Sequence, residues 1–163
     1  NEKENWIAVI GLLNEKPYEI FTGKINHDFN VPDYVSKGWV IKVREAKEKR
    51  YDFQYEDVSG NSITIEGLSR AFNSEYWNYA KLISGMLKLH IPIEQVVQLV
   101  EELNLYDSTI NTWKNGVSRA LRNFIKPGLE REGSFCPSCF SENALVYQDG
   151  CLQCIDCGFT ECI

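Results

Sequence analysis

All six cysteines of this 163-residue chain fall between Ser134 and Ile163: Cys136, Cys139, Cys151, Cys154, Cys157 and Cys162. The 133 residues before them contain none. Two pairs, Cys136-Pro-Ser-Cys139 and Cys154-Ile-Asp-Cys157, have the two-residue gap of a metal knuckle, and fourteen residues separate the pairs. Those residues read as strand, turn, strand: Ala144 to Gln148, Asp149-Gly150, then Cys151 to Gln153. An Asp-Gly turn between apolar residues is a hairpin signal. Two knuckles joined by a hairpin make a zinc ribbon, in which four thiolates surround one ion. So short a fold has little core, and a metal is the expected source of its stability.

Four sulfurs fill such a site and six overfill it. The first ligand set is Cys136, Cys139, Cys154 and Cys157. Gly158 supplies the backbone freedom that a knuckle needs, and Phe159 can pack beneath it. That set leaves Cys151 and Cys162 on neighbouring strands, within disulfide reach. A second set, Cys136, Cys139, Cys151 and Cys154, leaves Cys157 and Cys162 as the close pair. The spare cysteines are either inert packing, or a structural disulfide, or a redox pair. The first knuckle departs from the pattern, with Phe140 where the second has Gly158.

Charge narrows the function. The chain carries a net charge of −6. From Ser134 to Ile163 there is no Lys or Arg, against Glu142, Asp149, Asp156 and Glu161. A ribbon that grips phosphates needs cations, so a nucleic-acid module is disfavoured. No signal peptide or long apolar run points to export or a membrane. Knuckle cysteines at metal spacing favour a reducing, cytoplasmic compartment. A start at Asn1 without Met fits a piece of a longer protein.

Ahead of the ribbon the pattern is α+β: an antiparallel sheet covered by about three helices. Asn5–Leu13, Tyr18–Thr22, Gly38–Glu45, Tyr51–Glu56 and Ser62–Glu66 read as strands. Asn14 to Pro17, Ile25 to Lys37, Ala46 to Arg50 and Asp57 to Asn61 read as the connections. Asn73 or Ser74 caps a helix to about Leu89, with Tyr76, Trp77, Ala80, Ile83 and Leu87 on its apolar side. Pro92 opens a second helix, whose Ile93, Val96, Val97, Val100 and Leu103 share one face. Asp107 or Ser108 starts a third, with Ile110, Trp113, Val117, Leu121, Phe124 and Ile125 inward, and Pro127-Gly128 ends it. The domains expected are 1–128, a charged linker 129–133, and the ribbon 134–163. His27 and His90 stand alone, His90 as a dipole partner at a helix end. No phosphate-cradling loop or catalytic constellation is visible in this front region. Its expected task is to position the ribbon, and it is a candidate subunit contact.

Two stretches carry a family resemblance. Lys16-Pro-Tyr-Glu-Ile-Phe-Thr-Gly23, with Tyr79-Ala-Lys-Leu-Ile-Ser84 and Ile91-Pro-Ile-Glu94, resembles the C-terminal accessory domain of adenosylcobalamin-dependent (class II) ribonucleotide reductases. The tail from Cys136 to Cys162, with Gly150-Cys151 between the knuckles, resembles the cysteine-rich end of the same enzymes. The resemblance implies that the chain is the C-terminal portion of a reductase that makes deoxyribonucleotides for DNA synthesis. It implies thiol–disulfide exchange that re-reduces the active-site disulfide, with Cys151, Cys157 and Cys162 as exchangers. Zinc is the cofactor expected in this chain, and adenosylcobalamin is bound elsewhere in the parent enzyme. The implied partners are the catalytic domain, a thioredoxin-like or other dithiol donor, and further copies of the chain in a homo-oligomer. The catalytic barrel, radical cysteine and nucleotide sites match nothing here, so the chain alone would be inactive. The competing reading is a structural zinc ribbon that mediates oligomer or partner contacts.

Overall fold

A computed structural model describes residues 6–24, 30–44, 49–68, 74–104 and 108–162, without the side chains of 108–112. The described residues form β1 (Trp6–Leu13), β2 (Lys16–Lys24), β3 (Trp39–Arg44), β4 (Lys49–Glu56) and β5 (Ser62–Ile65), then α1 (Ser74–Lys88), α2 (Ile93–Glu101) and α3 (Ser108–Arg122). The ribbon strands follow: β6 (Leu145–Gln148), β7 (Cys151–Cys154) and β8 (Thr160–Glu161). The expected mixed architecture of antiparallel sheets and three helices is present. The expectation of one front sheet is corrected: among the described residues β1 and β2 make one sheet, and β3, β4 and β5 make a second. The expected caps Asn73 and Asp107, the turn residues Ala46 to Glu48, His27 and the Ile110 side chain lie outside what is described.

The chain divides into two compact units, one of residues 1–11 and 19–84, the other of 12–18 and 85–163. In the first, Phe21, Phe53, Tyr55 and Leu68 form the core, and Ile7, Val9, Val40, Tyr51 and Trp77 pack against it. Aromatic rings bind the two sheets and α1: Phe21 lies 5.2 Å from Tyr51 and 5.6 Å from Trp77. On β3 the core-facing residue is Val40, because it pairs with buried Phe53. Trp39 and Ile41 are exposed. Asp52 is buried despite its place on the polar side of β4. Arg50 bonds it at 2.9 and 3.0 Å and Gly67 N–H at 2.8 Å, so its charge is satisfied there. Ser84 of α1 hydrogen-bonds the backbone of β2, accepting Ile20 N–H at 3.0 Å and donating to Ile20 O at 3.3 Å.

In the second unit the turn that closes α1 runs through His90, whose φ of 59° is left-handed. Ile91 N–H returns to Met86 O and His90 N–H to Leu87 O, which closes the helix as a Schellman turn. His90 therefore stops the helix with its backbone. Pro92 follows as the N-cap of α2. Val96, Val97 and Val100 of α2 are buried with Trp113, Val117 and Leu121 of α3, as the helical spacing predicts. Phe124 corrects the expected inward row. It lies past the end of α3 at Arg122 and is 37% exposed, while its neighbour Ile125 is buried. Lys114 Nζ bonds the Glu101 and Leu103 carbonyls at 3.2 Å, satisfying the free C-terminal end of α2.

Candidate metal centre and disulfide

Each knuckle is built by the same two hydrogen bonds. In the first, Cys136 N–H donates to Ser141 O at 3.0 Å and Phe140 N–H to Cys136 O at 2.8 Å. In the second, Cys154 N–H donates to Phe159 O at 2.8 Å and Gly158 N–H to Cys154 O at 3.0 Å. The turn needs a left-handed residue directly after the second cysteine. Gly158 takes φ 76° freely, and Phe140 is held at φ 60°. Phe140 thus fills the glycine's place in the same conformation.

Between the knuckles Asp149 (φ 49°) and Gly150 (φ 79°) make the hairpin turn, with Gln148 opposite Cys151 and Leu145 opposite Cys154. The hairpin sets the faces. Leu145, Tyr147, Leu152 and Cys154 are buried, while Gln148 and Gln153 are exposed. Phe159 packs against Cys136, Ala144, Leu145 and Cys154, beneath the second knuckle as expected.

The fold brings four sulfurs together. The Sγ atoms of Cys136, Cys139, Cys154 and Cys157 all lie within 4.8 Å of one another. Cys136 and Cys157 are 3.7 Å apart, as are Cys139 and Cys154. A tetrahedral ion with metal–sulfur bonds of about 2.3 Å has sulfurs about 3.8 Å apart, so the donor set fits one four-coordinate metal ion such as zinc. Cys136 and Cys154 are buried and Cys157 is exposed. The thiols of Cys139 and Cys157 are shifted in opposite directions. The Ser141 hydroxyl, 3.3 Å away, and then the Ser141 backbone N–H hold Cys139 down to about 6. The Phe159 backbone N–H favours the Cys157 thiolate, but desolvation and the sulfurs of Cys139, Cys154 and Cys136 push it up to about 11.

The remaining two cysteines are joined, Cys151 to Cys162, with Cα atoms 4.4 Å apart. The first ligand set is therefore the one that stands together. Cys151, which the second set requires, is bonded elsewhere.

The charged stretch before the ribbon is backbone-paired to it. Gly128 N–H donates to Tyr147 O at 2.7 Å, Tyr147 N–H to Leu129 O at 2.9 Å and Arg131 N–H to Leu145 O at 2.8 Å. Glu101 of α2 binds Arg131 at 3.1 Å and buried Arg122 at 2.6 Å. Tyr147 lies within this group, 1% exposed, its hydroxyl without a partner among the described residues. Burial pushes its phenol pKa up. Sequence reading missed this cluster, since Glu101, Arg122 and Arg131 look like ordinary surface charges. Only the inward spacing of Arg122 with Leu121 and Ser118 hints at it.

Fold and site together describe a mixed α/β chain whose Cys136, Cys139, Cys154 and Cys157 are close enough to hold one metal ion. A family model described as the NrdJ homologue C-terminal domain matches residues 1–126, and the chain belongs to that family. The match relates it to the class II ribonucleotide reductase NrdJ, and it ends before the first cysteine. No curated protein and no solved structure matches the chain. Among the described residues no helix is long and apolar enough to cross a membrane.

Proposed function

We propose that this chain is the C-terminal portion of an adenosylcobalamin-dependent ribonucleotide reductase and relays electrons to its active-site disulfide. One observation carries the reading: the six cysteines divide into a four-sulfur cluster and a separate disulfide whose Cys162 is exposed. Cys136, Cys139, Cys154 and Cys157 would hold zinc, which keeps its ligands as thiolates and ties the knuckles together. Cys151 and Cys162 are the relay. In the reduced state the Cys162 thiolate attacks the active-site disulfide and forms a mixed disulfide, releasing one cysteine of the active site. Cys151 then attacks Cys162 Sγ, releases the second, and leaves the Cys151–Cys162 bond. Two electrons and two protons pass to the active site, and a dithiol donor restores the pair. Cys157, the third exchanger candidate, is exposed but sits 3.7 Å from Cys136, so its use would open the metal site. Cobalamin and substrate belong to the catalytic domain, outside this chain. A cytoplasmic homo-oligomer is part of the same reading.

The pairing of residues 128–131 with β6 and the Glu101 ion pairs favour a second reading, a ribbon fixed on α2 and α3 as a structural module. Replacing Cys162 by Ser in the full-length reductase separates the two. The relay reading expects multiple turnover with a protein dithiol donor to fall at least about tenfold, with single turnover intact. Undiminished multiple turnover would leave only the structural module.

A further inference from the structure

The strand that leads into Cys162, β8, is the open edge of its sheet. The order is β6-β7-β8, and among the described residues no strand lies beyond β8. Leu152 pairs with Glu161 and Gln153 with Thr160, so the next step of the register sets Cys151 opposite Cys162. Cys154 N–H bonds Phe159 O across the same strands. Hydrogen-bonded pairs alternate along an antiparallel ladder, so Leu152–Glu161 is bonded and Cys151–Cys162 is not. The 4.4 Å Cα separation of Cys151 and Cys162 agrees. The backbone N–H and C=O of Thr160 and Cys162 therefore point away from β7, toward the open edge.

The two faces of this edge differ. Cys151 and Cys162 share the solvent face. Glu161 shares the opposite face with buried Leu152. Under that face lies a cleft of about 440 Å³, lined by Glu161, Leu152, Glu102 and Glu132, with Phe135 and Pro137 as its apolar wall. Phe135 is 62% exposed. Arg131 also lines the cleft, but Glu101 holds it at 3.1 Å.

We propose that the edge of β8 receives an extended, cysteine-bearing segment of the exchange partner as an added strand, with a Lys or Arg beside that cysteine. This rests on the relay reading and names its docking surface. On an added strand, the residue beside Cys162 lies at about 5.5 Å Cα separation on the disulfide's face, within disulfide reach. Its neighbours point to the other face, into the cleft. A Lys or Arg there lays its stem on Phe135 and its charge among Glu102, Glu132 and Glu161. The partner's thiolate attacks Cys162 Sγ, the Cys151–Cys162 bond breaks, and Cys151 leaves as a thiolate that takes up a proton. A second thiol of the partner then displaces Cys162, so the partner ends as a disulfide and this pair as dithiol.

Pentapeptides with a central cysteine flanked by Arg, Ser or Glu test this on the 163-residue chain. Mixed-disulfide formation is followed by mass spectrometry, each rate normalised to the same peptide's rate with hydroxyethyl disulfide, which removes differences in thiol pKa. The Arg-flanked peptide should react about tenfold faster than the Ser-flanked one, and the Glu-flanked one slower still. N-methylation of the peptide's cysteine amide, or the change Glu102→Lys with Glu132→Lys, should remove most of the advantage. Equal normalised rates, or no effect of N-methylation, would overturn the edge as a docking surface while leaving the Cys162→Ser turnover result to judge the relay. Undiminished turnover of Cys162→Ser beside a strong Arg preference would remove the relay and keep the edge.

Discussion

Phe140 shows how closely a backbone requirement can be separated from a residue type. Both knuckles need a left-handed residue after their second cysteine, and only one has glycine. The Phe140 ring is 77% exposed, so it returns little packing energy for a conformation that costs L-residues about 1–2 kcal/mol. Part of that cost is recovered because Phe loses less backbone entropy than Gly on folding. Phe140→Gly should therefore stabilise the metal-loaded ribbon by about 0.5–1 kcal/mol, read as a higher midpoint in thermal melts. A lower midpoint would mean that the ring makes a contact worth more than the strain. The cysteine spacing made the four-sulfur cluster legible, because two C-x-x-C turns across a hairpin have few other ways to close. The pairing of Cys151 with Cys162 was legible as one of two options. What decides between them is the register of β8 against β7, and a two-residue strand leaves too short a pattern for a sequence to reveal.

At the scale of elements, the helical pair α2–α3 and the ribbon share one charged cluster. Glu101 accepts hydrogen bonds from Arg122 and forms an ion pair with Arg131. Arg122 is 1% exposed, so removing its partner leaves a buried charge. Glu101→Ala should cost about 3–5 kcal/mol in denaturant unfolding, far beyond an exposed ion pair. A loss below about 1 kcal/mol would show that water replaces the carboxylate. Tyr147→Phe removes a buried hydroxyl that has no partner, and should be neutral or stabilising by about 1 kcal/mol in the same experiment. The helices were readable from their apolar rows and the hairpin from Asp149-Gly150. The charged stretch at 130–132 reads as a solvated linker because side chains dominate such a reading. Its backbone nonetheless hydrogen-bonds to β6, and backbone pairing is nearly indifferent to which charges point outward. The division of the front strands into two sheets was hidden for a similar reason: alternation reveals a strand, and says nothing of which neighbour it takes.

For the molecule as a whole, a metal ion bound at the four sulfurs would compete with protons for them. Cys157 is pushed up to about 11, so across neutral pH it must give up a proton to bind a metal ion. Cys139, held down to about 6, joins that competition only as pH falls through that value. Zinc affinity should therefore rise with pH throughout the neutral range and fall more steeply below about pH 6. Competition with a chromophoric chelator between pH 5 and 8 measures it, and a pH-independent affinity would contradict the four-thiolate site. Removing the metal with a chelator should also loosen the knuckles before the helices, since the ribbon's own core consists of few residues beyond Cys136, Ala144, Leu145 and Cys154.

Strand β7 is four residues long, with Cys151 at one end and Cys154 at the other. That brevity places the disulfide and the four-sulfur cluster on one short mechanical frame. Anything that fixes Cys154 also fixes where Cys151 meets Cys162, and so raises the effective concentration of one thiol at the other. By thermodynamic reciprocity, an ion that binds the oxidised ribbon more tightly than the reduced one makes the Cys151–Cys162 bond harder to reduce. A metal ion bound at the four sulfurs would then shift how readily the Cys151–Cys162 bond is reduced. Redox titration of the pair with and without zinc reads that coupling directly, and equal midpoints would show the two ends of β7 to be independent.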